Sequence, residues 1–300
     1  MDKIGMEKKV LVTGENSYIA RSFRRYMEQW GISGQNGSSV QPARENWQIT
    51  LLSVRDSAWM QEDFSQYDAV IHCAGIVHQK EKNISAEEYD RVNRRLTLDL
   101  AKKAQNEGAR QFIFISTMNV YGMSTGVITA AAEPVPRTLY GKSKLAAEAA
   151  LQDLRQEDFK VCIVRPPMIY GNACKGNYRL LSKLAYVTPI FPDVRNERSM
   201  LYIDNLCELL RLLVENEDEG IFFPQDKEYV RTSGMVKQIA ACHGRKMALT
   251  KVFNPMLRLL SGVGLVKKVF GSLVYEKPMS VYDKGEYRIK EFAQAIKESE

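Results

Sequence analysis

Four short runs in the first half of the chain are almost continuously apolar: VLVTG (Val10 to Gly14), AVIHCAG (Ala69 to Gly75), QFIFIST (Gln111 to Thr117) and VCIVRPP (Val161 to Pro167). A strand with one wet face alternates apolar and polar residues. These runs do not, so they predict strands buried on both faces, as in a parallel sheet. Longer stretches of helical spacing separate them. The clearest begins at ISAEEY, where Ser85 and Glu88 match a capping box and Ile84 with Tyr89 match a hydrophobic staple. Leu96, Leu100 and Ala104 continue an apolar face, and Gly108 is placed to close the helix. Strands alternating with helices predict an α/β fold with a doubly wound parallel sheet, its ligands at the carboxyl ends of the strands.

The pattern changes in three places. GISGQNGSSVQPAREN (Gly31 to Asn46) has few apolar residues and reads as an exposed loop. From about Gly171 the alternation weakens, with helices over Asn205 to Glu215 and Ser233 to His243 and fewer evident strands. This divides the chain into a nucleotide-binding domain over 1–170, regained around 200–225, and a smaller C-terminal α/β substrate-binding lobe over 171–300. NPMLRLLSGVGLVKKVFGSLVY (Asn254 to Tyr275) is apolar enough for a membrane-surface helix, but its glycines and Ser261 interrupt any long amphipathic face. Buried helices and turns are the expectation there.

A 300-residue chain with 45% hydrophobic and 26% charged residues supports a substantial core. No stretch approaches the roughly 18 apolar residues of a membrane span, and MDKIGMEKK lacks the apolar core of a signal peptide, so the expected location is the cytoplasm. The five cysteines have no CxxC pair and mostly sit in apolar runs, which suits buried thiols. The net charge of +6 is dispersed along the chain and no nucleic-acid-binding motif accompanies it, so an anionic small molecule is expected rather than nucleic acid. His72, His78 and His243 lack metal-ligand spacing, and no metal is expected.

Two stretches carry chemistry. In KKVLVTGENSYIARSF a strand meets a helix start with only Gly14 where dinucleotide loops usually hold three glycines; Asn16, Ser17 and Ala20 stand nearby. Asn16 tolerates left-handed backbone, the small Ser17 hydroxyl can cap the helix or bond a phosphate, and Ala20 adds only a methyl group. In LYGKSKLAAEAAL, Tyr140 and Lys144 stand four apart and share one helical face. An ammonium beside a phenol favours the phenolate, so Lys144 is expected to lower the Tyr140 pKa toward the working range of an acid/base catalyst. Ser116 and Thr117 end the preceding strand, where a hydroxyl can polarise a substrate oxygen.

At this point the chain resembles the extended short-chain dehydrogenases/reductases that act on nucleotide sugars, the NAD-dependent epimerase/dehydratase family. The resemblance rests on VTGxxSYIA, VIHCAG, YDRVNRR, ISTMNVYG, YGKSK, VRPPMIYG and RSMLYIDNL, in this order from Val12 to Leu206. It implies a Rossmann fold, a catalytic set of Thr117, Tyr140 and Lys144, and a further role for Lys144 on the nicotinamide ribose. It also implies that Gly14, Asn16, Ser17, Tyr18, Ile19, Cys73, Ala74, Gly75, Asn93 and Ser116 line the cofactor. Asn119, Asn177 and Arg198 join Thr117 and Tyr140 around the substrate, with Arg198 on its pyrophosphate. The resemblance implies a UDP-linked hexose or N-acetylhexosamine, a surface-polysaccharide pathway, and a homodimer through the helices containing Leu96 and Tyr140. RPPMIYG followed by KGNY resembles the 4-epimerases and 4-reductases of UDP-N-acetylhexosamines more than plain UDP-galactose 4-epimerases. Met118 and Asn119 replace the acidic pair of a dehydratase.

The cofactor is NAD or NADP. If QITLLSVRD is the second strand, Ser53 and Arg55 at its end favour a 2′-phosphate, and Arg21 is a second partner for it. If it is instead the family's adenine-binding segment, Asp56 bonds the adenine amine and the phosphate question stays open. The same catalytic set serves a 4-epimerase and a 4-keto-reductase. The rival from another class is a catalytically silent NAD(P)-binding regulatory or scaffold protein of the same fold, which the intact Thr117, Tyr140 and Lys144 argue against.

Overall fold

The four apolar runs become neighbouring parallel strands in the computed structural model, which describes residues 7–33, 46–76, 84–262 and 264–300. In chain order the elements begin β1 (Lys8–Thr13), α1 (Tyr18–Ser33), β2 (Trp47–Leu52), β3 (Ala69–His72), α2 (Ala86–Asp90), α3 (Leu96–Asn106), β4 (Gln111–Ile115), β5 (Gly126–Ile128), α4 (Leu139–Gln152) and β6 (Lys160–Val164). They continue with β7 (Met168–Tyr170), α5 (Asn177–Val187), β8 (Ile190–Pro192), β9 (Met200–Tyr202), α6 (Ile203–Glu215), β10 (Gly220–Phe222) and α7 (Thr232–Cys242). The last are β11 (Ala248–Thr250), α8 (Asn254–Leu259), α9 (Gly264–Phe270), β12 (Leu273–Tyr275) and α10 (Phe292–Ser299).

The chain divides into two interleaved units. The first comprises Met1–Val120, Thr138–Arg165 and Leu209–Phe222; the second comprises Tyr121–Arg137, Pro166–Glu208 and Phe223–Glu300. The first unit holds a six-stranded parallel sheet in the order β10-β6-β4-β3-β1-β2. Its strand order reverses at β1, which has β2 on one side and β3 on the other. In open α/β sheets the crevice at such a reversal is where ligands bind. Leu11, Val70, Phe112, Phe114 and Ile163 from the sheet pack with Leu100, Ala104, Ala147 and Leu151 from α3 and α4 in one buried cluster. Truncating a phenylalanine in such a core costs about 3–5 kcal/mol.

Local signals explain the element ends. Ser85 accepts a hydrogen bond from the Glu88 amide at 3.1 Å, the first half of the capping box; the Glu88 carboxylate turns instead to Arg91, at 2.6 and 2.9 Å. Gly108, at φ +90°, closes α3 as the Ala109 amide returns to the Ala104 carbonyl. The exposed loop expected over residues 31–46 falls mainly on 34–45, outside the described residues, as does His78.

The second unit pairs β5 with β12, β7 with β9 and β8 with β11, each in parallel. Asp226 organises its interior: its carboxylate accepts hydrogen bonds from the Tyr202 amide, the Asn205 amide group and the Tyr170 hydroxyl, at 2.8–3.0 Å. Burial pushes this carboxyl up to about 6 despite the three donors. The region of α8 and α9 departs from expectation. α8 has no buried residue, and a 3-10 turn over Leu260–Gly262 interrupts the helix where the glycines and Ser261 stand.

Candidate active site

The crevice at the β1/β3 reversal is built from Gly14 and the residues after β3. Gly14 lies at φ +83°, and a Cβ there would stand 2.9 Å from the Ala74 amide nitrogen, so glycine alone permits this approach. Ser17 accepts a hydrogen bond from the Ala20 amide at 3.0 Å and caps α1, whose N-terminus opens toward the same loop. Ala20 is fully buried, and its methyl is accommodated. Asn16 does not take left-handed backbone; its side chain accepts from the Arg21 guanidinium, which also reaches the Glu15 carbonyl at 3.3 Å. One glycine at the turn and a capped helix N-terminus retain the features a dinucleotide pyrophosphate requires.

β2 is the second strand of the sheet and pairs directly with β1, so Ser53 and Arg55 follow its carboxyl end. Arg55 is exposed and makes no ion pair among the described residues. Asp56 caps a short 3-10 turn by accepting from the Ala58 amide at 3.0 Å. Among the described residues the segment is therefore the second strand, the arrangement in which Ser53 and Arg55 stand at a strand end.

Beneath the crevice runs a buried polar chain. Thr13 meets His72 Nδ1 at 2.6 Å, His72 Nε2 meets the Thr97 hydroxyl at 3.0 Å, and that hydroxyl donates to the Asn93 carbonyl at 2.9 Å. Because Thr97 spends its proton on Asn93, it accepts from Nε2–H, which leaves Nδ1 to accept from Thr13. Burial holds His72 down to about 3, so the ring is neutral. Asn93 itself sits in a π-helical turn, Arg91–Arg95. Its side chain accepts from the Ile76 amide at 2.8 Å and donates to the Ile76 carbonyl and to Ser143. It thus ties the segment after β3 to α4.

Thr117, Tyr140 and Lys144 come together at the carboxyl end of β4. The Thr117 hydroxyl stands near enough to the Tyr140 phenol to pull its pKa down, and accepts from the Asn119 amide at 3.2 Å. Lys144 is buried, donates to the Ile115 carbonyl at 2.8 Å and lies 4.3 Å from the centre of the Phe114 ring. A Cβ on Gly75 would lie 3.4 Å from its ammonium nitrogen. The expected pKa coupling is corrected here. Burial raises Tyr140 to about 12 and lowers Lys144 to about 8, so desolvation outweighs any help the lysine gives the phenol. Burial likewise pushes the Cys73 thiol up to about 12, against opposing effects of Lys144 and a Ser17 hydrogen bond.

Ser116 does not face the crevice as a free hydroxyl; it bonds the Glu148 carboxylate. Glu148 is gripped by Arg165, whose Nη2 and Nε approach it at 2.6–3.2 Å, and both side chains are buried. Glu148 and Arg165 are the site residues that motif reading passed over. A signal was present, since Tyr140, Lys144 and Glu148 continue one stripe of i, i+4 spacing along α4.

In the second unit Arg198 donates from Nη1 to the Gly271 carbonyl at 2.9 Å, while its Nε is buried with no partner. Asp193 pairs with Arg231 at 2.7 Å, and Arg198 makes no ion pair among the described residues. Asn177 begins α5, but its side chain lies outside the described residues. Gly271 also lines a cavity of about 640 Å³ within this unit.

Residues 10–223 match the NAD dependent epimerase/dehydratase family. The chain belongs to this family. It is 32% identical over 183 residues to a UDP-glucose 4-epimerase of Vibrio cholerae, covering 57% of this chain and 56% of that protein. Similarity of 24% over 252 residues extends to an N-acetyl-alpha-D-glucosaminyl-diphospho-ditrans,octacis-undecaprenol 4-epimerase of Escherichia coli O157:H7, covering 81% of this chain and 74% of that one. The chain spans about half the length of the first curated relatives it matches. Among solved structures, the Bordetella bronchiseptica enzyme WbmG in complex with NAD shares the fold, with a TM-score of 0.72 and 19% identity over 100% of this chain and 94% of that one. The family's nicotinamide dinucleotide, NAD(P), fits the Gly14 turn and the capped α1 start.

Proposed function

We propose that the protein is an NAD(P)-dependent enzyme of hydride transfer at C4 of a diphosphate-linked hexose or N-acetylhexosamine, acting as a 4-epimerase in surface-polysaccharide synthesis. The observation that carries this is the convergence of Thr117, Tyr140 and Lys144 at the end of β4, beside a glycine turn suited to a dinucleotide. Bound NAD(P) supplies the hydride acceptor and donor. Tyr140 exchanges a proton with the sugar 4-oxygen, and Thr117 beside it orients that oxygen. With its pKa at about 12 the resting phenol is an acid, ready to protonate a keto oxygen. Abstraction of a hydroxyl proton requires the phenolate, and the Lys144 ammonium one helical turn away stabilises that charge. Gly14, Ser17, Tyr18, Ile19, Cys73, Ala74, Gly75 and Lys144 hold the cofactor in this reading. Arg198 directs its unpartnered Nε to the diphosphate, and Asn119 and Asn177 contact the sugar.

UDP is the carrier by resemblance, and the Vibrio cholerae relative is named for UDP-glucose. The Escherichia coli relative is named for a lipid diphosphate carrier, so a diphosphate is common to both. A 4-keto-reductase is the second reading, favoured by Ser53 and Arg55 after β2, which suit the 2′-phosphate of NADP. The proposed assembly is a homodimer through α3 and α4, and the proposed compartment is the cytoplasm. Cofactor demand separates the two reactions. Purified protein should epimerise UDP-N-acetylhexosamines with no added cofactor and release bound NAD on denaturation, read by mass spectrometry. Stoichiometric NADPH consumption with a 4-keto sugar would establish the reductase instead.

A further inference from the structure

Along Lys251 to Leu260, from the turn before α8 to the start of the turn after it, exposed apolar and exposed basic side chains are interspersed. Asn254, Leu257 and Arg258, spaced i, i+3, i+4 on α8, line the 640 Å³ cavity. At 100° per residue Met256 and Leu259 lie on the other side of α8, and Val252 and Phe253 before the helix and Leu260 after it are exposed as well. Leu259 is 86% accessible, Val252 80% and Met256 53%. Five exposed large apolar side chains within nine residues exceed the scattered surface leucines any protein shows.

Exposed cations stand among these side chains. Lys251 and Arg258 are the chain neighbours of Val252 and Leu259; with Arg195 and Lys267 they line the cavity, are exposed, and make no ion pair among the described residues. The one carboxylate lining the cavity, Asp193, is already paired with Arg231. The cavity also holds Asn254, whose Oδ1 is buried without a partner. A second copy of this chain would have to bring four uncompensated cations against its own. An anionic surface would neutralise them, while the apolar side chains enter its hydrocarbon boundary and the long basic stems reach the headgroups.

The geometry points to α8 and its flanks as a peripheral docking face for an anionic lipid bilayer. No helix among the described residues is long and apolar enough to cross a membrane, so the contact is with the surface of the bilayer. This docking face corrects the expectation of buried helices here. For a diphospho-sugar enzyme, as read above, docking of this kind selects the lipid-carried form of the substrate. The binding test is independent of that reading because it is scored without substrate.

The full chain is sedimented with phosphatidylcholine vesicles and with vesicles that also contain phosphatidylglycerol. Wild type should pellet with the anionic vesicles, less so as salt is raised, and little with the neutral ones. The pair Met256→Glu and Leu259→Glu should cut the bound fraction about tenfold or more while leaving the circular dichroism and Tm unchanged, because α8 buries nothing. Lys251→Glu with Arg258→Glu should remove the preference for anionic lipid. Wild type remaining in the supernatant, or the Met256/Leu259 variant binding as well as wild type, overturns the proposal. So does sedimentation velocity showing a dimer that this variant dissociates, which would assign the face to a second copy.

Discussion

Two places in the molecule, the surroundings of Tyr140 and the cavity of the second unit, treat their polar groups in opposite ways. Around Tyr140 and Lys144 the groups are already engaged: Lys144 bonds Ile115, Asn93 bonds Ile76 and Ser143, and Glu148 is shared by Ser116 and Arg165. Around the cavity of the second unit, among the described residues, Arg198 Nε and Asn254 Oδ1 are buried without partners and four cations make no ion pair. The difference matches two tasks. A proton-transfer site must hold its groups in register before the substrate arrives, which a fully bonded network does. A recognition site must leave donors open, since a bond already made inside the protein has to be broken to bind a ligand.

The largest effect should come from removing the one group that handles the proton. Tyr140→Phe keeps the ring and should lower kcat by about 10²–10⁴-fold on any sugar the wild type converts, with little change in KM. Equal turnover by the variant would break the assignment of the first unit as the catalytic one.

Next comes the bonded network. Glu148→Gln removes one charge of the buried Glu148–Arg165 pair, which should cost about 3–5 kcal/mol, read as a lower Tm or denaturant midpoint. It also removes a charge that raises the Lys144 pKa. Lys144 stands at about 8, below its unfolded value, so between pH 8 and about 10.4 the unfolded chain binds more protons and stability rises with pH. Activity needs the ammonium and should fall over the same window. In Glu148→Gln the basic limb of kcat/KM should begin at lower pH. A variant that loses stability with an unmoved limb would make Glu148 structural only.

Effects in the recognition unit should fall on binding. If Arg198 meets the diphosphate as proposed, Arg198→Ala should raise KM about 10–100-fold with kcat nearly kept, since it would remove a charge-assisted contact rather than a group at the reacting carbon. The smallest effect is expected at the edge of the sheet. Arg55→Ala should change the NADP-to-NAD preference about threefold to tenfold if the exposed guanidinium meets a 2′-phosphate, and leave it unchanged if NAD is the cofactor.

The same contrast governs what could be read from residues alone. The parallel strands were legible because burial on both faces forces continuous apolar runs such as QFIFI, and Gly14 because only glycine fits 2.9 Å from the Ala74 backbone. Tyr140 and Lys144 were paired by helical spacing and Ser116 and Thr117 by a strand end, and the family resemblance singled out Thr117. The direction of the Tyr140 shift was not legible, since a pairwise view of lysine and phenol omits the desolvation that dominates in the folded chain. The Ser116 bond to Glu148 joins residues 32 positions apart and leaves no local trace. α8 was misjudged for a related reason. Apolar content predicts burial only if something covers the face, and the covering partner is a matter of tertiary arrangement.

The claim on which the rest depends is hydride exchange with the sugar driven by Tyr140. It is tested most directly by mixing purified protein and NAD with UDP-N-acetylhexosamines, UDP-hexoses or their polyprenyl-diphosphate counterparts, and following absorbance at about 340 nm, where only the reduced nicotinamide absorbs. The account predicts a transient rise with at least one of these sugars, present in the wild type and absent in Tyr140→Phe. No rise with any of them, or the same rise in the variant, would contradict it.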